Sequence, residues 1–107
     1  MTAQTGTHPV TYGEAVLEAL REEAHRDSRI FVIGYYLPNM IFGYYGAEPL
    51  MEELGEERFM SSPVTESSMT GAAVGAAMMG YRPVVDLMAP NFAYYATDQL
   101  INQASKQ

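Results

Sequence analysis

One carboxylate in this sequence stands where a carboxylate can do chemistry. The run of residues 61–82, SSPVTESSMTGAAVGAAMMGYR, puts Glu66 at the mouth of a small-residue helix whose side chains between Gly71 and Gly80 are almost all Gly, Ala, Val or Met. Pro63 disfavours helix for the residue before it. Thr65 and Glu66 then read as a helix start, where the dipole favours a negative charge in the first turn. Taken alone, such a glutamate is a helix-end acid with a structural role. Two glycines inside the helix, Gly71 and Gly75, each cost roughly 1 kcal/mol relative to alanine, which predicts that something approaches the helix closely. Close packing in the chain's own core and close packing against a partner subunit both fit that pattern. His8 and His25 lie in a tail and at a helix end, neither with a partner at metal-ligand spacing, so no metal site is expected. No Gly-rich loop with a lysine is present to cradle a diphosphate.

The elements that must position Glu66 follow from periodicity. Residues 1–10 form a polar, flexible lead. Thr11 and Glu14 make a capping-box pattern, and Tyr12, Val16, Ala19, Leu20 and Ala24 recur at helical spacing up to a helix end near residues 25–27. The apolar run Ile30-Phe31-Val32-Ile33 predicts a strand buried on both faces, as in a parallel sheet. Residues 34–46, rich in Gly and Tyr, predict a long loop. A short helix over 47–54 is supported by Pro49 in its first turn and Gly55 at its end. Phe59 and Met60 predict a second strand, residues 83–88 a third, and residues 92–105 a final helix capped by Asn91. Strands alternating with helices imply an α/β fold, an open parallel sheet of about three strands flanked by helices. Ligands bind such sheets beyond the carboxyl ends of the strands, and the loops after Ile33, Met60 and Met88 open at that edge.

Charge and composition exclude several classes. The chain has 107 residues, 48% hydrophobic and 18% charged, which is ordinary for one globular domain. Six basic residues stand against 13 acidic ones, a formal net charge of −7 that argues against nucleic-acid and anionic-membrane surfaces. There is no cysteine. No run approaches a transmembrane span of ~18 apolar residues, and the first residues lack the layout of a signal peptide, so a cytoplasmic protein is expected.

The motifs Ser62-Pro63-Val64-Thr65-Glu66, Gly71-Ala72-Ala73-Val74-Gly75-Ala76-Ala77, Gly80-Tyr81-Arg82-Pro83-Val84-Val85, then Asp98-Gln99, Asn102-Gln103-Ala104 and Lys106 resemble one family. It is the β subunit of thiamine-diphosphate-dependent 2-oxo acid dehydrogenases of the pyruvate, acetoin and branched-chain type. Their pyrimidine-binding domain is related to that of transketolase. The resemblance runs from Thr11 to the last residue and is gapless over residues 62–106. It implies that residues 11–107 are the first portion of a truncated pyrimidine-binding domain. It also implies that the motif's glutamate, here Glu66, hydrogen-bonds a ring nitrogen of the cofactor's aminopyrimidine and favours the tautomer that takes the thiazolium proton. Phe92 is then the residue that stacks on the pyrimidine, and Val64 the apolar residue that touches the ring. A carboxylate kept in a partly apolar pocket must be protonated or strongly hydrogen-bonded, which suits this assignment.

The implied partners are an α-type subunit that holds the diphosphate and magnesium, a second β-like copy in a heterotetramer, and a lipoyl or other acyl-carrier protein. The implied reaction decarboxylates a 2-oxo acid and passes on the acyl or hydroxyalkyl group. Where the family has an acid after the first strand, this chain has Tyr35, and its tyrosine pairs read as interface or loop anchors. The altered loop motivates a second reading, transketolase-like two-carbon transfer. A third is a non-catalytic assembly or regulatory piece.

Overall fold

A computed structural model describes residues 7–37, 40–41, 44–45 and 48–107. Helix α1 (Tyr12–Arg26) starts on the expected capping box: the Glu14 amide donates to Thr11 Oγ1 at 3.2 Å, and the Thr11 amide donates to Glu14 Oε2 at 2.7 Å. Strand β1 (Ile30–Tyr35) follows and runs two residues further than the apolar run. Part of the expected loop is instead a two-residue antiparallel pair, β2 (Met40–Ile41) and β3 (Tyr44–Tyr45). Gly34 and Tyr35 of that loop belong to β1; residues 38–39, 42–43 and 46, and residue 47, the expected first residue of the next helix, lie outside the described residues. Helix α2 (Glu48–Leu54) ends at Gly55, whose φ of 98° is the left-handed conformation that glycine adopts freely. Strand β4 (Phe59–Ser62), helix α3 (Glu66–Met78) and strand β5 (Arg82–Asp86) complete the layers.

The three long strands form one parallel sheet in the order β4-β1-β5. Central β1 is buried on both faces because its side chains alternate between two cores. Val32 joins Leu20, Leu37, Leu50 and Phe59 beneath α1 and α2, while Ile33 and Tyr35 join Met69 and Ala73 beneath α3. At the opposite end, Arg58 Nε donates to the Ile30 carbonyl at 2.9 Å and its Nη2 to the Asp27 carbonyl at 2.9 Å, which ties the start of β1 to β4. Pro83 lies within β5 opposite Phe31, where the edge position tolerates its missing N–H.

Two expectations are corrected. β5 stops at Asp86 instead of reaching Met88, because Asp86 Oδ1 accepts the Met88 amide at 2.8 Å and Met88 turns to a φ of 64°. The final helix is not one α-helix capped by Asn91. A 3₁₀ helix spans Pro90–Ala96 with Ala89 at its cap position, and a π-helical turn spans Gln99–Ala104. Pro90 is pre-set for a first helical position and moves the start forward. At the junction both the Thr97 amide and the Thr97 hydroxyl donate to the Tyr94 carbonyl, the latter at 2.7 Å, which holds the tight three-residue winding.

Candidate functional site

The carboxyl ends of the three strands lie side by side, with Tyr35 opposite Ser62 and Gly34 opposite Asp86. Residues 63–65 carry the chain from β4 to Glu66, and their turn is held by its own hydroxyls. Ser62 Oγ donates to the Pro63 carbonyl at 2.8 Å, Thr65 Oγ1 donates to the same carbonyl at 3.1 Å, and the two hydroxyl oxygens are 3.1 Å apart. Thr65 occupies the expected cap position, yet its side chain makes no capping bond; its hydroxyl is turned to the Pro63 carbonyl, away from the helix amides that it would cap. Glu66 opens α3 half-buried, with the helix dipole behind it.

Behind Glu66 the edge of the sheet is buried and polar. Tyr35 is 2% exposed, and its Oη has no hydrogen-bond partner among the described residues. Burial, then the negative charge of Glu66 and the acceptor that its carboxylate offers, then the charge of Asp86, push its phenol up to about 12. Asp86 is 4% exposed at the end of β5, and its Cβ would lie 3.2 Å from a Cβ added at Gly34, so no larger residue fits opposite it without a shift. Two non-glycine residues take left-handed backbone at this same edge, Tyr36 with a φ of 51° after β1 and Met88 with a φ of 64° after β5. Such conformations cost of order 1–3 kcal/mol each and gather at functional sites.

The sequence-predicted residues gather here unevenly. Phe92 lies in the 3₁₀ helix after β5 and packs, half-buried, against the cluster that contains Tyr35 and Met69. Val64 stands outside that cluster, 55% exposed beside the strand ends. Tyr35 corrects an expectation: it is an inward-facing side chain of the site's floor and not a loop anchor, while Tyr36, Tyr94 and Tyr95 are exposed. Its signal lies in the alternation of β1, which sends residues 31, 33 and 35 to one face. Asp86, a lone acid closing an apolar strand, is the other signal that periodicity alone does not single out.

The small residues of α3 divide by face. A Cβ added at Gly71 would come within 3.0 Å of Gln99 Oε1, so the close approach at that position is made by the chain's own C-terminal segment. Gly75 faces open space, with nothing among the described residues within 4 Å of such an atom. Gly75→Ala should therefore stabilise the isolated chain by about 1 kcal/mol through helix propensity alone. A urea midpoint that stays put or falls would show that Gly75 is needed by the folded chain itself.

Residues 8–107 match the family described as transketolase, pyrimidine binding domain. The chain belongs to that family. The chain is 40% identical over 97 residues to a Rickettsia conorii protein named pyruvate dehydrogenase E1 component subunit beta, a match covering 91% of this chain and 30% of that relative. It is 37% identical over 102 residues to the mitochondrial protein of that name from Saccharomyces cerevisiae, covering 95% of this chain and 28% of the relative. The Rhizobium meliloti protein of that name is 38% identical over 104 residues, covering 97% of this chain and 23% of the relative. The chain thus spans about 30% or less of the length of these curated relatives. Within the pyrimidine-binding domain, the open parallel sheet and its flanking helices are the architecture that the motifs implied. Among the described residues, no helix is long and apolar enough to cross a membrane.

Proposed function

We propose that this pyrimidine-binding domain supplies the aminopyrimidine-facing half of a thiamine diphosphate site in an enzyme that decarboxylates a 2-oxo acid. The observation that carries the reading is Glu66, a half-buried carboxylate at the mouth of α3, beside a buried hydroxyl with no partner among the described residues. These residues fit the group. A carboxylate can bond a ring nitrogen, the Phe92 ring and the exposed Val64 side chain offer apolar contact, and Tyr35 leaves hydrogen-bonding capacity unused among the described residues. Thiamine diphosphate, when bound, supplies the electron sink for breaking the bond between the 2-oxo carbon and the carboxylate. The chain's own work is to orient. Glu66 holds or moves a proton at the ring nitrogen, Val64 and Phe92 fix the plane of the ring, and the buried floor of Tyr35 and Asp86 keeps water away from the inner side.

The same surface is open. Val64 is 55% exposed and Met88 40% exposed, which supports reading the described residues as one wall of a site and not an enclosed pocket. We therefore assign the other wall, with the diphosphate and its magnesium, to an α-type partner subunit. The sequence here has no phosphate-cradling loop of its own. The names of the relatives support a pyruvate-type 2-oxo acid as substrate. The assembly that we propose has two α-type and two β-like chains and passes the acyl or hydroxyalkyl group to a lipoyl carrier, as the resemblance of the motifs to the β-subunit family implies.

Titration calorimetry tests the shared site. The isolated chain should show no tight uptake of thiamine diphosphate and magnesium, whereas the chain reconstituted with an α-type partner should bind in the micromolar range, about −8 kcal/mol. Tight binding by the isolated chain would remove the shared-site reading.

A further inference from the structure

Tyr35 is the one side chain at the described strand ends whose chemistry the proposed function leaves idle. Its ring fills the core between Ile33, Met69 and Ala73, a place that phenylalanine would fill as well without burying a hydroxyl that has no partner among the described residues. A buried donor without an acceptor bears the whole cost of its desolvation, so such a group in a native chain calls for a use. The groups around the hydroxyl narrow that use. Glu66 opens α3 one turn before Met69, which packs with the Tyr35 ring, and Asp86 closes β5 beside β1. Ser62, the neighbour of Tyr35 on β4, is polar but uncharged, and the charges of Glu66 and Asp86 both bear on the phenol. Asp86 Oδ1 already accepts the Met88 amide at 2.8 Å. The phenol keeps its proton throughout the neutral range, since its pKa is pushed up to about 12, and so beside a carboxylate it acts as a donor.

We propose that Tyr35 is a positioning residue for Glu66: when a ligand closes the site, its hydroxyl donates to one oxygen of the Glu66 carboxylate and leaves the other oxygen to face the ligand. A carboxylate has two oxygens and free rotation about its last bond, and one fixed donor from below removes that freedom. A second acid at this position would repel Glu66 when ionised. A tyrosine attracts it at every neutral pH. This inference deepens the proposed function and rests on Glu66 being the carboxylate that meets the ligand.

The test is a binding cycle with thiamine diphosphate and magnesium as the probe, in an assembly reconstituted with an α-type partner. Tyr35→Phe should raise the dissociation constant about tenfold, the loss expected for a hydrogen bond to a charged group. Glu66→Ala should weaken binding at least as much, and the double variant should bind no more weakly than Glu66→Ala alone, because the tyrosine acts through the glutamate. In the ligand-induced infrared difference spectrum of ring-labelled tyrosine, a C–O band of Tyr35 should shift in the parent assembly and stay still in Glu66→Ala. The isolated Tyr35→Phe chain should melt at the same temperature or a few degrees higher, since it loses only an unpaired hydroxyl. Multiplying effects in the double variant, an infrared shift that survives Glu66→Ala, or a melting point lowered by several degrees would each overturn the positioning role. Failure of the parent assembly to bind the probe would overturn the proposed function as well, and so the two failures are told apart.

Discussion

Glu66→Ala, in an assembly reconstituted with an α-type partner, should lower turnover of a 2-oxo acid by at least about a hundredfold, or roughly 2.7 kcal/mol of barrier. The size follows from the proposed role, since a side chain that holds or moves a proton in the transition state commonly contributes two to four orders of magnitude. The folded chain should barely notice. Glu66 is half-buried at a helix start, where its charge is worth about 0.3–1 kcal/mol through the dipole, and no other residue of the described chain is shown to be anchored by it. A single-turnover assay beside a urea unfolding curve separates the two effects. Turnover within a few fold of the parent, in an assembly that still binds the cofactor, removes Glu66 from its role. A large fall in the urea midpoint would make it a structural acid instead.

Met69→Ala should destabilise the isolated chain by about 2–5 kcal/mol, a large share of the 5–15 kcal/mol that holds a domain of this kind together. Met69 is 2% exposed on α3 and is a central contact of the core that holds Ile33, Tyr35 and Ala73, with Phe92 packed against it. Because that core is what seats α3 on the sheet, the cost is also positional. Glu66 lies three residues before Met69, one turn away, and loosening that turn moves the carboxylate over the strand ends. Met69→Leu, close in volume, should cost less than about 1.5 kcal/mol and restore both stability and cofactor binding. Urea midpoints of the two variants, read with calorimetry on the reconstituted assembly, check this. Equal midpoints for alanine and leucine would mean that the side chain does not carry the packing assigned to it.

Residues whose neighbours in sequence are also their neighbours in space are legible from the chain alone. The Thr11–Glu14 capping box, α2 between Pro49 and Gly55, and the start of α3 after Pro63 are all local events, set by backbone preference and by side chains within a turn. Where two local preferences compete, pattern misleads. Asn91 is a plausible cap, but Pro90 pre-sets the turn one residue earlier, and Thr97 bonds back to Tyr94. Thr65 has the right chemistry for a cap, but its hydroxyl is turned to the Pro63 carbonyl and caps no helix amide. The strand after Gly80 reads two residues too long because nothing in an apolar run reveals that an aspartate's own side chain will take the amide two residues on.

The sequence by itself determined the α/β order of elements, the family, and Glu66 as the acid at the mouth of a small-residue helix. These are properties of pattern and spacing along one dimension. Only the tertiary structure decided which side chains Glu66 would meet. Tyr35, 31 residues before Glu66, and Asp86, 20 residues after it, come to the same sheet edge because parallel pairing sets the ends of β1, β4 and β5 in register, and α3 packs back on that sheet through Met69. Only the structure showed, too, that Gly71 is approached by the chain's own Gln99 while Gly75 stays open. The physical reason is common to both. Burial and register are set by contacts between distant segments, and a hydroxyl becomes an unpaired donor only once the sheet and helix have closed over it.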